Sequence, residues 1–151
     1  MTLDAALAIL HHLAAFSLTG LLIAELVLLR GRLDGDAIRR FGTVDALYGA
    51  SAGIVVAAGI GRLLFGVVPI DFYLGNAFFW IKMASLAIVA AISVFPTIQG
   101  IRWRRALGPD PSFAPPAAEA GHVRRALAVQ LAVLPLIPIS AALMARGFGA
   151  L

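Results

Sequence analysis

The sequence predicts an all-α integral membrane protein, a bundle of four transmembrane helices, and three observations predict it. Hydrophobic residues make up 61% of the 151-residue chain and charged residues only 13%, against about 25% charged in a soluble domain. The apolar residues gather into four long runs, each at or above the ~20 residues a helix needs to cross the hydrocarbon. The basic residues cluster in two of the three links between those runs, the asymmetry that orients multi-span chains. Mean hydropathy is +0.95. A soluble domain of this length has too little interior for so much apolar surface, so the bilayer is the solvent for the rest.

The first run covers about residues 5–29. It lacks a basic leader and is longer than the ~7–15 apolar residues of a cleavable signal peptide, so it reads as a permanent span. The second covers about 44–68, the third 77–98 and the fourth 123–144, and together they form one domain over residues 1–151. Inside lipid each run must satisfy its own backbone, which makes all four helical. Pro135 and Pro138 should kink the fourth, with Gln130 and Ser140 placed to satisfy the backbone groups they free. The link 106–121, containing GPDPSFAPPAAEAG, is Pro- and Ala-rich and reads as an irregular loop. The short link VPIDFYLGN carries Phe72 and Tyr73, and with Trp80 it reads as an aromatic belt at one membrane face. Trp103, flanked by Arg102 and Arg104, reads as the belt at the other.

Direction follows from arginine. Arg30, Arg32, Arg39 and Arg40 lie around the first link and Arg102, Arg104, Arg105, Arg124 and Arg125 around the third, which is nine of the twelve Lys and Arg residues. The second link has only Arg62 and Lys82 at its edges. The positive-inside rule then places the arginine-rich links in the cytoplasm and both termini on the periplasmic or outer side of a bacterial inner membrane. The net charge of +4 is accounted for by this asymmetry, so nucleic acid is not an expected partner. No cysteine is present, which removes disulfides, iron–sulfur clusters and thioether-linked haem.

Ionisable groups at membrane depth are functional candidates by default. Here they fall into two layers. The outer layer holds His11, His12, Arg62 and Lys82; the inner layer holds Glu25, Asp45, Gln99 and Gln130. His11 and His12 stand together in AILHHLAAF. Each reads either as a ring that finds a carbonyl or a partner helix, or as a ligand of haem iron or another metal. Neighbours on a helix point about 100° apart, so the two cannot readily face one metal. His11 lies within about 40° of Glu25 in helical phase, which favours it over His12. Lys82 and Arg62 either snorkel to the interface or hold the carboxylates of a bound ligand such as a porphyrin. Glu25 and Asp45 either pair with Arg30, Arg40 and Arg125 in a structural network or serve a proton relay. Gly49, Gly53, Ala57 and Gly61 recur every four residues on the second span, a stripe that lets helix backbones approach closely or forms a flat wall for a planar macrocycle.

The run FFWIKMASLAIVAAISVFPTIQGIRWRRAL, residues 78–107, resembles the third span of the HemJ-type protoporphyrinogen oxidase family through Trp80 and Lys82 at its start and Gly100, Trp103, Arg104 and Arg105 at its exit. The first span, with an early histidine and small residues through Gly20, is similar, as is the fourth with Arg124, Arg125 and Pro135. Late in the first span, where that family carries a basic residue, this chain has Glu25. The whole chain also resembles a bacterial family of predicted four-span membrane proteins described only as a domain of unknown function. It shares its general layout with copper-resistance D-type membrane proteins. The HemJ resemblance implies a four-helix bundle, haem b and membrane oxidoreductase activity on porphyrin, with His11 or His12 and Lys82 as the residues carried over.

Three functions therefore stand as expectations. The first is a haem- or porphyrin-binding redox protein, with His11 or His12 as axial ligand and Lys82 and Arg62 neutralising propionates. The second is a non-catalytic membrane subunit or assembly factor, packed against a partner complex or a second copy through the second span. The third is a small transporter, which ranks last because the middle of every span is nearly all apolar.

Overall fold

A computed structural model describes residues 2–151 as helices and connecting turns. Helix α1 covers Leu3–Leu28, α2 Gly35–Phe65, α3 Ile70–Leu74, α4 Ala77–Ala106, α5 Ala117–Val133 and α6 Leu136–Ala145. Four helical stretches are long and apolar enough to cross a membrane: α1, α2, α4, and α5 with α6.

The helix starts are written into the sequence. A side-chain oxygen at the N-cap takes up a backbone N–H that the first turn leaves free. Thr2 Oγ1 accepts from Ala5 N–H at 3.3 Å, Asp34 Oδ1 from Ala37 N–H at 3.0 Å, and Asn76 Oδ1 from Phe78 N–H at 2.9 Å. Three helices outrun the apolar runs that announce them: α2 at its start, α4 at its end and α5 at its start, where Ala117–Gly121 of the expected irregular loop is helical. Helix α2 has 31 residues, about 46 Å at 1.5 Å per residue, against a hydrocarbon core of ~30 Å. Its first turns carry exposed Arg39 and Arg40 on one side and buried Ile38, Phe41 and Gly42 on the other. Hydropathy marks the depth of the bilayer, whereas the helix continues past it on an amphipathic face.

The fourth span is broken rather than bent. Pro138 has no N–H to donate to the carbonyl of Leu134, which accepts instead from Ile137 N–H at 3.1 Å in a tighter turn. Gln130 does not serve this break; its side-chain carbonyl is used by Tyr48. Pro96 lies buried inside α4, which runs on through it.

Helix α1 packs against α2 and α5, and α4 packs against α2, α5 and α6. Successive spans run antiparallel, so the arginine-rich links share one end of the bundle, and the start of α1 and the C-terminal residues share the other with His11 and His12. The apolar core (Leu22, Ile38, Phe41, Trp103, Val123 and Leu127) sits toward the arginine-rich end. Leu13, Phe16, Leu47, Leu64, Val94 and Ile139 point outward, the arrangement of a bundle whose surroundings are lipid.

Trp103 is not a belt residue. It is 2% exposed, its ring centroid lies 5.9 Å from that of Phe41, and its Nε1–H donates to Glu119 Oε2 at 3.1 Å. Gly100, one turn away, admits Phe41: a Cβ there would stand 2.8 Å from Cε1. Trp80 is exposed and donates to the Leu74 carbonyl at 3.1 Å, beside Phe79, with Tyr73 tilted against the Phe79 ring and Phe72 edge to face with Tyr73.

The first three members of the stripe on α2 do not face the bundle, and only Gly61 does. Gly49, Gly53 and Ala57 are exposed, and a Cβ added at Gly49 or Gly53 would meet nothing within 4 Å. Close approach inside the bundle occurs at Gly59, against the His11 ring, and at Gly61, against Leu7.

Two features have no counterpart in the apolar pattern. The C-terminal residues fold back on the α3–α4 corner: Asn76 Nδ2–H donates to Phe148 O at 2.9 Å, Ala77 N–H to Gly149 O at 2.8 Å and Leu151 N–H to Gly75 O at 2.9 Å. Gly147 and Gly149 turn this segment with φ of 81° and 82°, a region that glycine enters without steric penalty. In the long loop, Ser112 donates its Oγ–H and N–H to Asp110 Oδ1 at 2.6 and 2.9 Å, which holds that carboxyl below its ordinary range and fixes a turn.

Candidate functional site

The polar residues form two separate groups. His11 and Glu25 are fourteen residues apart on α1, so the layers lie about 21 Å apart along the helix axis.

Four helices meet at the layer nearer the arginine-rich end. Glu25 comes from α1, Asp45 and Tyr48 from α2, Thr97 from α4 and Gln130 from α5. Glu25 is 1% exposed and Gln130 is fully buried. Thr97 Oγ1–H donates to Asp45 Oδ1 at 2.8 Å, and Tyr48 O–H donates to Gln130 Oε1 at 3.1 Å. Two buried atoms have no partner here: Glu25 Oε1 and Gln130 Nε2. The carboxyls of Glu25 and Asp45 and the Tyr48 hydroxyl lie within electrostatic reach of one another.

The arginines do not pair with these acids. Among the described residues the ion pairs are Arg39–Asp36 at 2.7 Å and Arg62–Asp4 at 3.9 Å. Arg30 lies in the turn beyond the end of α1, and Arg40 precedes Asp45 on α2 by five residues, which places it about 140° round the helix from the acid. Arg30, Arg40 and Arg125 are accordingly exposed. Gln99 makes no hydrogen bond to this layer among the described residues; Thr97, about 200° round α4 from it, takes the place facing Asp45. Tyr48 and Thr97 are the members that hydropathy and charge alone did not single out. Tyr48 follows Asp45 by three residues and so shares its face, a signal present in the sequence.

At the opposite end His11 and His12 divide their roles by helical phase. His11 is half-buried, and its Nδ1 lies 2.9 Å from the Val55 carbonyl on α2. A carbonyl only accepts, so Nδ1 carries the hydrogen and the neutral ring keeps its lone pair on Nε2. The ring rests on Gly59, where a Cβ would stand 3.3 Å from Cε1. His12 is exposed and bonds its own helix, Nδ1 to the Ala8 carbonyl at 2.6 Å. The two rings meet edge to face at 5.9 Å.

Lys82 and Arg62 bring positive charge within electrostatic reach of His11. The Lys82 ammonium lies 5.4 Å from the centroid of the Phe79 ring, an attraction between cation and ring quadrupole. Arg62 has Asp4 at 3.9 Å, while its Nε is buried without a hydrogen-bond partner. Asp4 is thus the carboxylate paired with Arg62, and Lys82 has no ion pair among the described residues. Among the described residues no three His, Asp or Glu side chains are grouped to hold a metal ion by themselves. A cleft of about 450 Å³ lies apart from both layers, between the arginine-rich links, with Arg32, Asp34, Phe113 and Arg124 in its walls.

The model of one family, described as "Predicted membrane protein (DUF2214)", matches residues 3–149. No curated protein and no solved structure matches the chain. The likeness to HemJ-type proteins thus rests on short motifs of the sequence, and that to copper-resistance D-type proteins on general layout alone.

Proposed function

The chain belongs to the DUF2214 family of predicted membrane proteins, and from that premise we propose that it binds haem b or a related porphyrin at the histidine layer and serves a redox role. In this reading it is a multi-pass protein of the bacterial inner membrane with both termini on the outer side, as the arginine asymmetry favours. The observation that carries the reading is the His11 hydrogen bond to Val55. Histidines that ligate metals commonly donate the second ring N–H to a carbonyl, which fixes the ring and bares the other nitrogen. His11 has that arrangement, and Gly59 leaves room for its ring. Lys82 and Arg62 supply the charge that carboxylate side arms require. A bound haem would contribute one-electron transfer; the protein would contribute the axial nitrogen, the cationic clamp and a dry wall of helix.

An absorption spectrum of the detergent-purified protein, expressed with haem supplied and recorded oxidised and then dithionite-reduced, tests this. A Soret band that shifts on reduction, is lost in His11→Ala and persists in His12→Ala supports the reading. A featureless spectrum overturns it, and loss in His12→Ala alone reassigns the ligand.

A second reading has its own observation. The exposed stripe of Gly49, Gly53 and Ala57 would let another helix, from a second copy or a partner subunit, approach closely in lipid. Gly53→Leu should then shift the protein from oligomer to monomer in cross-linking from native membranes. An unchanged pattern would remove this reading.

A further inference from the structure

The polar layer near the arginine-rich end has a chemistry of its own, independent of what the histidines bind. Two carboxyls, Glu25 and Asp45, lie inside a helical bundle with no basic partner among the described residues. Two like-charged carboxylates in a low-dielectric site cannot both remain ionised without a counterion. A proton or a cation must therefore balance at least one of them.

The neighbours favour the proton. Facing these acids are Tyr48 from α2, Thr97 from α4 and Gln130 from α5. The Thr97 hydroxyl is committed to Asp45 and the Tyr48 hydroxyl to Gln130 Oε1. Because that bond fixes the Gln130 amide, its Nε2 donor is held in the same layer, fully buried and unpartnered. A donor turned into a site repels a metal cation but welcomes an oxygen lone pair. The same layer holds the unpartnered acceptor Glu25 Oε1. A water accepting from Gln130 Nε2 and donating to Glu25 Oε1 would satisfy both atoms, in the manner of buried waters generally.

We propose that this layer is a hydrated proton-binding site, in which Glu25 carries an exchangeable proton and a water bound by Gln130 connects it to the aqueous phase. Glu25 lies three residues from the end of α1, about 4–5 Å of helix rise, so the short route runs to the arginine-rich end. Uptake moves a proton from hydronium onto Glu25 and leaves water; release reverses it. Asp45, held by Thr97, stays as the fixed charge.

Infrared spectroscopy of the full chain in lipid vesicles at neutral pH tests this. A carboxylic-acid C=O band is expected that shifts when the vesicles are moved into D2O, disappears in Glu25→Gln and persists in Asp45→Asn. Gln130→Leu should change the frequency of that band or slow its exchange, which gives an independent readout should Glu25→Gln fail to fold. The proposal is overturned if no such band exists, if it belongs to Asp45, or if it does not exchange. A band that emerges only after alkali and alkaline-earth ions are stripped away would assign the layer to a cation and overturn it equally.

Discussion

The two polar layers of this bundle meet the same problem, ionisable groups at membrane depth, by opposite means. The layer near the arginine-rich end is acidic, and its partners are neutral hydroxyls and an amide from other helices. The layer near the termini is cationic, and its partners are a backbone carbonyl, an aromatic face and one carboxylate at 3.9 Å. The first is hydrogen-bonded from α2 to α4 and α5 beside the aromatic core, with Glu25 of α1 set among these groups. The second lies where long side chains can reach the interface, and its surroundings are tied by backbone contacts from the C-terminal residues. Disturbing the acidic layer should therefore loosen the whole bundle, and disturbing the cationic layer should change binding with little loss of stability.

The largest expected effect falls on the ring that supports the acidic end. Trp103→Ala removes a buried indole packed on Phe41 and orphans Glu119. Large-to-small changes of this kind cost about 3–5 kcal/mol. Thermal unfolding in a mild detergent should show the protein strongly destabilised, and a shift of only a degree or two would mean that Trp103 is a surface belt residue after all. At the opposite end the comparable test is on backbone. Gly149 has φ 82°, and a Cβ there would stand 2.5 Å from Phe78 Cδ2. Gly149→Ala should cost about 1–2 kcal/mol from the left-handed conformation alone. Its clearest sign would be faster proteolysis of the C-terminal residues with the four spans intact.

The next test compares polar bonds. Tyr48→Phe removes the hydroxyl that fixes the Gln130 amide. Interhelical hydrogen bonds in membranes contribute about 0.6 kcal/mol on average and up to about 1.7, so the loss in an unfolding measurement should lie in that range. Proton exchange at Glu25 should change more than stability, because the freed amide can rotate away from the bound water. Unaltered exchange would detach Gln130 from the acidic layer.

These contrasts also mark what the sequence could and could not reveal. Four spans and their antiparallel order were legible because hydropathy reports contact with lipid, and lipid contact is most of what a small bundle presents. The ends of α2 and α4 were not, since those helices continue on amphipathic faces beyond the bilayer. The acids Glu25 and Asp45 stood out by charge, but their partners did not: Tyr48 and Thr97 are ordinary residues made important by a neighbouring helix. Pairing by proximity in sequence failed for Arg40 because a five-residue step leaves it about 140° round the helix from Asp45, and for Arg30 because α1 ends before it. Trp103 shows the same limit from the other side. An indole between two arginines looks interfacial in one dimension, and only the positions of Phe41 and Glu119 make it core.

The smallest expected effect is the sharpest test of the contrast. Arg62 and Asp4 are 3.9 Å apart, and both side chains remain partly exposed. Exposed pairs contribute about 0–1 kcal/mol, screened further by salt. Asp4→Asn should therefore leave unfolding in detergent within about 0.5 kcal/mol of the parent. Without Asp4 the ion pair on Arg62 is gone, so any carboxylate-bearing ligand of the histidine layer, probed with haem, should bind at least as tightly. A loss of several kcal/mol would show instead that the pair is dehydrated and structural. The cationic layer would then be built on the plan of the acidic one, and its charges would be committed to the fold before any ligand arrived.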